Sequence, residues 1–451
     1  MQVHFIAIGG AVMHQLAIAL KNKGYQVTGS DDEIFDPART NLLQHGLLPA
    51  SQGWFPEKIT PQLDAVILGM HAREDNPELI RARELGLKIY SFPEYVFQES
   101  LDKKRVAIGG SHGKTTITSM VMHVLRLCGQ QFDYLVGARL DGFDFSVSIT
   151  DAPVIICEAD EYPASTLEKR PKFHFLKPQV AVLSGVAWDH INVFPTFEIY
   201  KEQFAIFLRS MPEGGILFYN AADDVLCDIV AHNSSHIQAV PYYVPAHEID
   251  NGVTTVKIDG ITKAIKVFGR HNLMNLEAAR LVCAQLGVST AAFLEAIASF
   301  TGAAKRLELL AAGADMAAYR DFAHAPSKVK ATITATRQQY PDRKLVGCLE
   351  LHTYSSLNEK FLSEYHEALN DADVPVVFFS KHALELKRLP MLTEAQIREG
   401  FGNPAVKVFS DPQALSEFLQ QQFTHGSNLL LMSSGTFDGM ALDPFKTLAQ
   451  S

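Results

Sequence analysis

No two cysteines in this chain form a C-x-x-C pair. The five, at positions 128, 157, 227, 283 and 348, are scattered and odd in number, which excludes a disulfide framework and a thiolate metal site and points to a reducing compartment. No apolar run approaches the length of a membrane span, and Met1 leads straight into the strand-like Val3-His4-Phe5-Ile6-Ala7-Ile8 without the basic segment and apolar core of a signal peptide. The expectation is a soluble, cytoplasmic protein with no membrane partner. Excess positive charge is absent too: the formal net charge of −10 argues against a nucleic-acid partner, so an anionic ligand must be met by local cations and helix N-termini. Short-period repeats are missing, as is the H-E-x-x-H spacing that would single out any of the 17 histidines as a metal ligand. What remains is ordinary globular composition, 47% hydrophobic and 20% charged. A length of 451 residues exceeds what one core organises and predicts about three domains.

Over residues 1–101 short apolar strands, at 3–8, 25–29, 65–68 and 88–90, alternate with amphipathic helices, a Rossmann-like pattern. Gly9-Gly10 opens a helix able to hold a diphosphate, and Asp31 ends the second strand where a ribose hydroxyl could be met. The full G-x-G-x-x-G fingerprint of nicotinamide cofactors is interrupted by Ala7, Ala11 and Val12. The charged break Leu101-Asp102-Lys103-Lys104-Arg105 marks a domain boundary, after which 102–304 restarts the alternation with strands at 154–157 and 180–183 and a helix over 268–286. A third restart follows Lys305-Arg306, with strands at 316–319, 345–351, 374–379 and 428–432, giving a last domain over 305–451. The predicted fold is three consecutive α/β domains: a Rossmann-like N-terminal domain, a central P-loop ATPase-type domain and a Rossmann-like C-terminal domain.

The most informative stretch is Gly110-Ser111-His112-Gly113-Lys114-Thr115-Thr116, which follows the apolar Val106-Ala107-Ile108 and precedes a helical pattern. In a phosphate cradle of this kind backbone N–H groups face the phosphates, the lysine supplies a point charge and the next hydroxyl ligates Mg²⁺. Lys114 and Thr115 fill those roles, although a strict loop would carry glycine where Ile108 stands. Glu158-Ala159-Asp160-Glu161 closes the strand at 154–157, where open α/β sheets place ligands, and Glu158 is the first candidate for a Mg²⁺ ligand. Asp189-His190 follows the strand at 180–183 by a short loop, and the His190 imidazole could complete a second metal site.

These motifs, together with Gly269-Arg270-His271-Asn272-Leu273-Met274-Asn275, Lys305-Arg306-Leu307-Glu308 and Asp321-Phe322-Ala323-His324, resemble in order and approximate spacing the Mur ligases, across essentially the whole chain. That family uses ATP and Mg²⁺ to attach amino acids or peptides to UDP-N-acetylmuramate in peptidoglycan metabolism. The resemblance implies that Lys114 and Thr115 serve the phosphates and Mg²⁺, that Glu158 holds one metal, and that His190 holds a second near the sugar-nucleotide carboxylate. It implies further that Asn272 and Asn275 border the adenine, that Arg306 approaches the γ-phosphate and that Asp321 lies near the ATP ribose. Where the family often carries a carbamylated lysine this chain has Phe204, as in the branch acting on bare UDP-N-acetylmuramate.

Within that branch, the segment 29–37, Val12 before Met13, and Glu168-Lys169-Arg170-Pro171-Lys172-Phe173 look more like the members that add the peptide L-alanyl-γ-D-glutamyl-diaminopimelate than like those that add L-alanine. Arg170, with Lys169 and Lys172, is then expected to form a cationic rim for the peptide's carboxylates. Departures lie in the last domain: Arg320 stands where an acid is common, Ala325 replaces a histidine, and the segment 350–356, with Thr353 and Ser356, lacks the usual arginines. The implied mechanism is phosphoryl transfer to the lactyl carboxylate, attack of the amine on the acyl phosphate, and closure of the third domain to exclude water. A nicotinamide-dependent oxidoreductase built on the first domain is the alternative from another class, and it leaves the phosphate loop unexplained.

Overall fold

The computed structural model describes residues 1–450 apart from 71, 138, 139, 141, 166, 189–192, 304 and 305. The chain packs as two compact units, one of Met1–Tyr243 with Met274–Ala296, the other of Val244–Leu273 with Ile297–Ser451.

The first unit holds two sheets. Ala65-Val66-Ile67-Leu68 has no polar side to turn to water, and all four residues are buried in an all-parallel sheet of order Gln26–Ser30, Gln2–Ile6, Ala65–Leu68, Ile89–Ser91. The first strand ends at Ile6 rather than residue 8 because Ala7 adopts φ 66°, which lets the amides of Ala7 and Ile8 both donate to the Ser30 carbonyl. The helix expected to open at Gly9-Gly10 begins instead at Met13, and the two glycines form the turn before it.

The second sheet has seven strands in the order Gln238–Tyr242, Ile216–Asn220, Val180–Leu183, Lys104–Gly109, Val154–Glu158, Asp133–Leu135, Val147–Ser148, parallel except for the last pair. Helix Phe197–Ser210 buries Tyr200, Phe204, Phe207 and Leu208, the spacing of one helical face. Phe204 is wholly buried, with its ring centroid 5.6 Å from that of Phe173 and 5.2 Å from that of Tyr200, so this position is core and not a metal-bridging site.

In the second unit a six-stranded sheet runs Glu308–Ala312, Ala317–Asp321, Ser427–Met432, Lys344–Leu351, Val374–Phe379, Lys407–Phe409, parallel after an antiparallel first pair. Four of these strands fall where the sequence places them. A three-stranded antiparallel meander, Ala246–Asp250, Val253–Ile258, Ile261–Ile265, does not appear in the sequence expectation. Its signal was present: the hairpins turn at Asn251-Gly252 and Asp259-Gly260, with φ of 48° and 77° and of 49° and 80°, the positive pairs that two-residue turns of this type require. The helix expected over 268–286 is Arg270–Gln285, entered from Gly269 at φ 87°. Among the described residues no helix is long and apolar enough to cross a membrane.

Candidate functional site

Three adjacent parallel strands of the seven-stranded sheet, Val180–Leu183, Lys104–Gly109 and Val154–Glu158, end side by side, so the loops after them converge at the carboxyl edge of the sheet. The loop after the middle strand is Gly110-Ser111-His112-Gly113. Gly110 and Gly113 take φ of 117° and 81°, a left-handed backbone in which a side chain is strained. Gly113 is the residue that opens helix Lys114–Leu127, and no side chain caps that N-terminus, so its first N–H groups fit an external anion. The loop is braced from below. Ser111 N–H donates to the Gly185 carbonyl at 2.9 Å, the Ser184 hydroxyl donates to the His112 carbonyl, and the Ser111 hydroxyl accepts from Ala187 N–H at 2.8 Å. Asn275 closes one side: a Cβ on Gly113 would lie 2.5 Å from its Oδ1.

Lys114 points back over the loop, its Nζ donating to the Gly110 carbonyl and to Glu161 Oε2, both at 2.7 Å. Burial pulls its pKa down, but the Glu161 carboxylate, with Asp160 and Glu158 behind it, more than offsets this and holds the ammonium above lysine's ordinary value. Thr115 donates its hydroxyl to Glu158 Oε1 at 2.9 Å, and Gly137 N–H reaches Glu158 Oε2 at 3.3 Å. A hydroxyl and a carboxylate in contact, at the mouth of a phosphate cradle, are hard oxygen donors of the number Mg²⁺ takes from protein. The donors therefore fit Mg²⁺. Burial pushes Asp160 up, but Lys172 at 2.6 Å, with Lys114 and the Tyr162 amide, more than offsets this and holds it below the usual carboxylate range. His190, with Asp189, lies outside the described residues. Among the described residues no three His, Cys, Asp or Glu side chains are gathered as a metal cluster.

Gly9, Gly10 and Asp31 come together as expected, though in a different role for the acid. Asp31 Oδ2 accepts from Gly9 N–H at 2.7 Å, and a Cβ on Gly9 would meet that oxygen at 2.9 Å. The carboxylate thus closes the glycine turn. Burial, with Asp32 adjacent, raises it to about 6. Arg170 is less available than its sequence context implied: Glu168 holds its guanidinium at 2.6 and 3.0 Å, and the guanidinium carbon sits 4.5 Å from the Phe175 ring centre. With Lys172 paired to Asp160, two of the three cations expected to form a rim already have acidic partners.

The second unit carries the remaining residues. Asn272 Nδ2 donates to the Phe268 carbonyl at 3.0 Å, a helix-opening contact, and Asn272 is buried. Arg306 lies over the Phe322 ring at 4.8 Å. Asp321 is buried and accepts from two backbone amides, Leu307 N–H at 2.5 Å and Ala323 N–H at 2.6 Å, so it fastens the turn that carries Arg306, with Leu307 at φ 49°. The atypical residues have local explanations. Arg320 faces Glu308 across the antiparallel pair and binds it at 2.7 Å, Ala325 opens helix Pro326–Gln339 without a side-chain cap, and Thr353 caps a turn by accepting from Ser356 N–H at 3.1 Å.

Sequence reasoning passed over Glu161, Tyr200 and Ser184. Glu161 stood in the acidic tetrad but only its first member was given a role. Tyr200 and Ser184 carry no local signal, since only the fold brings them to the loop.

The chain is similar to known proteins along most of its length. Residues 2–100 match the model described as Mur ligase family, catalytic domain, residues 108–283 the Mur ligase middle domain, and residues 305–435 the Mur ligase, glutamate ligase domain. The UDP-N-acetylmuramate–L-alanine ligase of Aquifex aeolicus is 30% identical over 387 residues, 83% of this chain and 82% of that protein. The UDP-N-acetylmuramate–L-alanyl-γ-D-glutamyl-meso-2,6-diaminoheptandioate ligase of Escherichia coli is 26% identical over 452 residues, 98% of this chain and 96% of that protein. The crystal structure of a murein peptide ligase from Psychrobacter arcticus shares the fold, with a TM-score of 0.60 at 23% identity over 100% of this chain and 99% of the other. The chain belongs to the Mur ligase family of ATP-dependent enzymes that join a carboxylate to an amine.

Proposed function

We propose that this ligase joins the lactyl carboxylate of UDP-N-acetylmuramate to the amine of L-alanyl-γ-D-glutamyl-meso-diaminopimelate, in peptidoglycan recycling. The observation that carries this reading is the end-to-end match to the Escherichia coli ligase named for that peptide, over 98% of this chain, where the L-alanine ligase of Aquifex aeolicus aligns with 83%. The higher identity to the latter, 30% against 26%, keeps L-alanine as the second reading. Arg170 does not support the peptide reading, because Glu168 already engages it.

In this proposal residues 1–101 hold the UDP-sugar, 102–304 the ATP and 305–451 the amine. Bound ATP and Mg²⁺ would supply the phosphoryl group that turns the lactyl carboxylate into an acyl phosphate, from which the amine displaces phosphate. The chain's part is electrostatic and positional. The uncapped helix start and Lys114 would receive phosphate oxygens, Thr115 and Glu158 would hold one Mg²⁺ and His190 a second, and Asn272 and Asn275 would border the adenine. Arg306 offsets charge on the transferring group, while Asp321 keeps its turn in shape.

A side-by-side turnover assay tests the choice of amine. With UDP-N-acetylmuramate, ATP and Mg²⁺, the tripeptide is expected to drive phosphate release and amide formation well above L-alanine. Turnover with L-alanine alone would establish the second reading.

A further inference from the structure

Helix Met13–Asn22 is buried on every side over its first turns: each residue from Met13 to Leu20 is buried, and two of them, His14 and Gln15, are polar. Buried polar groups need partners, and these two find theirs in different parts of the first unit. His14 grips the glycine turn. The Gly10 carbonyl accepts from its backbone N–H at 3.0 Å and from its ring Nδ1 at 2.8 Å. A carbonyl only accepts, so Nδ1 carries the proton and Nε2 is bare. Nε2 accordingly accepts from Gln15 Nε2 at 2.8 Å and from Asn41 Nδ2 at 3.3 Å. Burial, against the pull of the Gly10 contact, holds the ring below histidine's ordinary pKa, in the neutral form this pattern requires. With the Gln15 amino group given to His14, its Oε1 accepts from Ser146 N–H at 3.4 Å, just before the edge strand of the seven-stranded sheet.

The contacts continue past Ser146. Its carbonyl accepts from Val136 N–H at 2.9 Å, and the next amide, Gly137 N–H, donates to Glu158 Oε2, while the other oxygen of Glu158 takes the Thr115 hydroxyl. We propose that His14 and Gln15 are positioning residues that fix the glycine turn of the first sheet against the loop touching Glu158, so that sugar-nucleotide and metal are held in register. This rests on reading the glycine turn as part of the sugar-nucleotide site and Glu158 as a Mg²⁺ ligand. Neither side chain has to touch a substrate to do this. A cut at Gln15 loosens the turn at one end and the Gly137 amide at the other, while the phosphate loop keeps its own braces from Ser184 and Gly185.

The experiment compares the full wild-type chain with Gln15→Met, which keeps the length of the side chain and removes its donor and acceptor, with His14→Phe, and with the double variant. In either single variant KM for UDP-N-acetylmuramate is expected to rise about fivefold, and the Mg²⁺ concentration for half-maximal turnover about threefold. ADP affinity, measured by calorimetry in EDTA, should match the wild type. The double variant should be no worse than the worse single one, because one connection is cut twice. An unchanged Mg²⁺ requirement overturns the proposal even if KM rises, since the two residues would then serve the turn alone. Weaker ADP binding in EDTA overturns it as a general loosening of the unit, and additive losses in the double variant overturn it as two separate roles. Should the variants fail to fold, nitrogen NMR of the wild-type His14 ring decides: a proton on Nδ1 with Nε2 bare is expected, and the opposite tautomer overturns the link. A wild type without affinity for UDP-N-acetylmuramate refutes the reading of the site itself, an outcome distinct from a link that His14 and Gln15 do not carry.

Discussion

At the scale of single residues, the two groups with the most to lose by substitution are Lys114 and Asp321, for opposite reasons. Lys114 is held by the Gly110 carbonyl and Glu161, so Lys114→Ala breaks a largely buried ion pair and lowers stability, and in the folded protein that remains it removes charge stabilisation from the transferring phosphoryl group. The expected loss is on the order of 3 kcal/mol, roughly a hundredfold in kcat at saturating ATP and Mg²⁺. Near-normal turnover would take Lys114 out of the mechanism. Asp321 acts on the fold. Burial raises it to about 6, partly offset by the Ala323 amide and by Arg306. A carboxylate more basic in the folded chain than in the unfolded one contributes stability that is full below the unfolded value and lost as pH rises through the folded value. Wild-type urea midpoints should therefore decline between roughly pH 4 and 6, and Asp321→Asn should flatten that decline. Equal slopes for the two proteins would show that Asp321 does not titrate in that range.

At the scale of elements, the junction of strand Lys104–Gly109, loop and helix Lys114–Leu127 depends on Gly113, whose φ of 81° and contact with Asn275 both exclude a side chain. Gly113→Ala is expected to destabilise by about 1–2 kcal/mol from backbone strain alone. The clash with Asn275 adds to this, so Gly113→Ala combined with Asn275→Ala should recover part of the stability in thermal unfolding. Simple additivity of the two losses would show that the side chains do not meet. A similar dependence appears in the second unit. There the buried Glu350 carboxylate accepts from Phe437 N–H at 2.7 Å and from the Ser433 hydroxyl, and so shapes the loop that follows strand Ser427–Met432.

At the scale of the whole molecule, the phosphate loop belongs to one of the two compact units, so the stabilisation that the phosphates of a bound nucleotide confer should be greatest around that loop. ADP at about a hundred times its dissociation constant should stabilise the folded state by about 2.7 kcal/mol, seen as slower amide exchange over Lys114–Leu127. Exchange slowed equally in the meander at 246–265 and in the loop would contradict a local effect.

The sequence alone determined the family, the α/β class and the phosphate loop, because short-range patterns encode them: apolar runs long enough for buried strands, glycines before a lysine and a hydroxyl, carboxylates at a strand end. It also located Lys114, Thr115 and Glu158, all neighbours in sequence of those signals. What only the tertiary structure decided is which groups these residues answer to. Glu161 and Tyr200, which stand 47 and 86 positions from Lys114, reach the loop only because parallel strands end side by side. Arg170 is matched by an acid two residues away, and Asp31 and Asp321 turn inward to backbone amides, contacts that depend on side-chain direction and burial, which spacing along a chain does not encode.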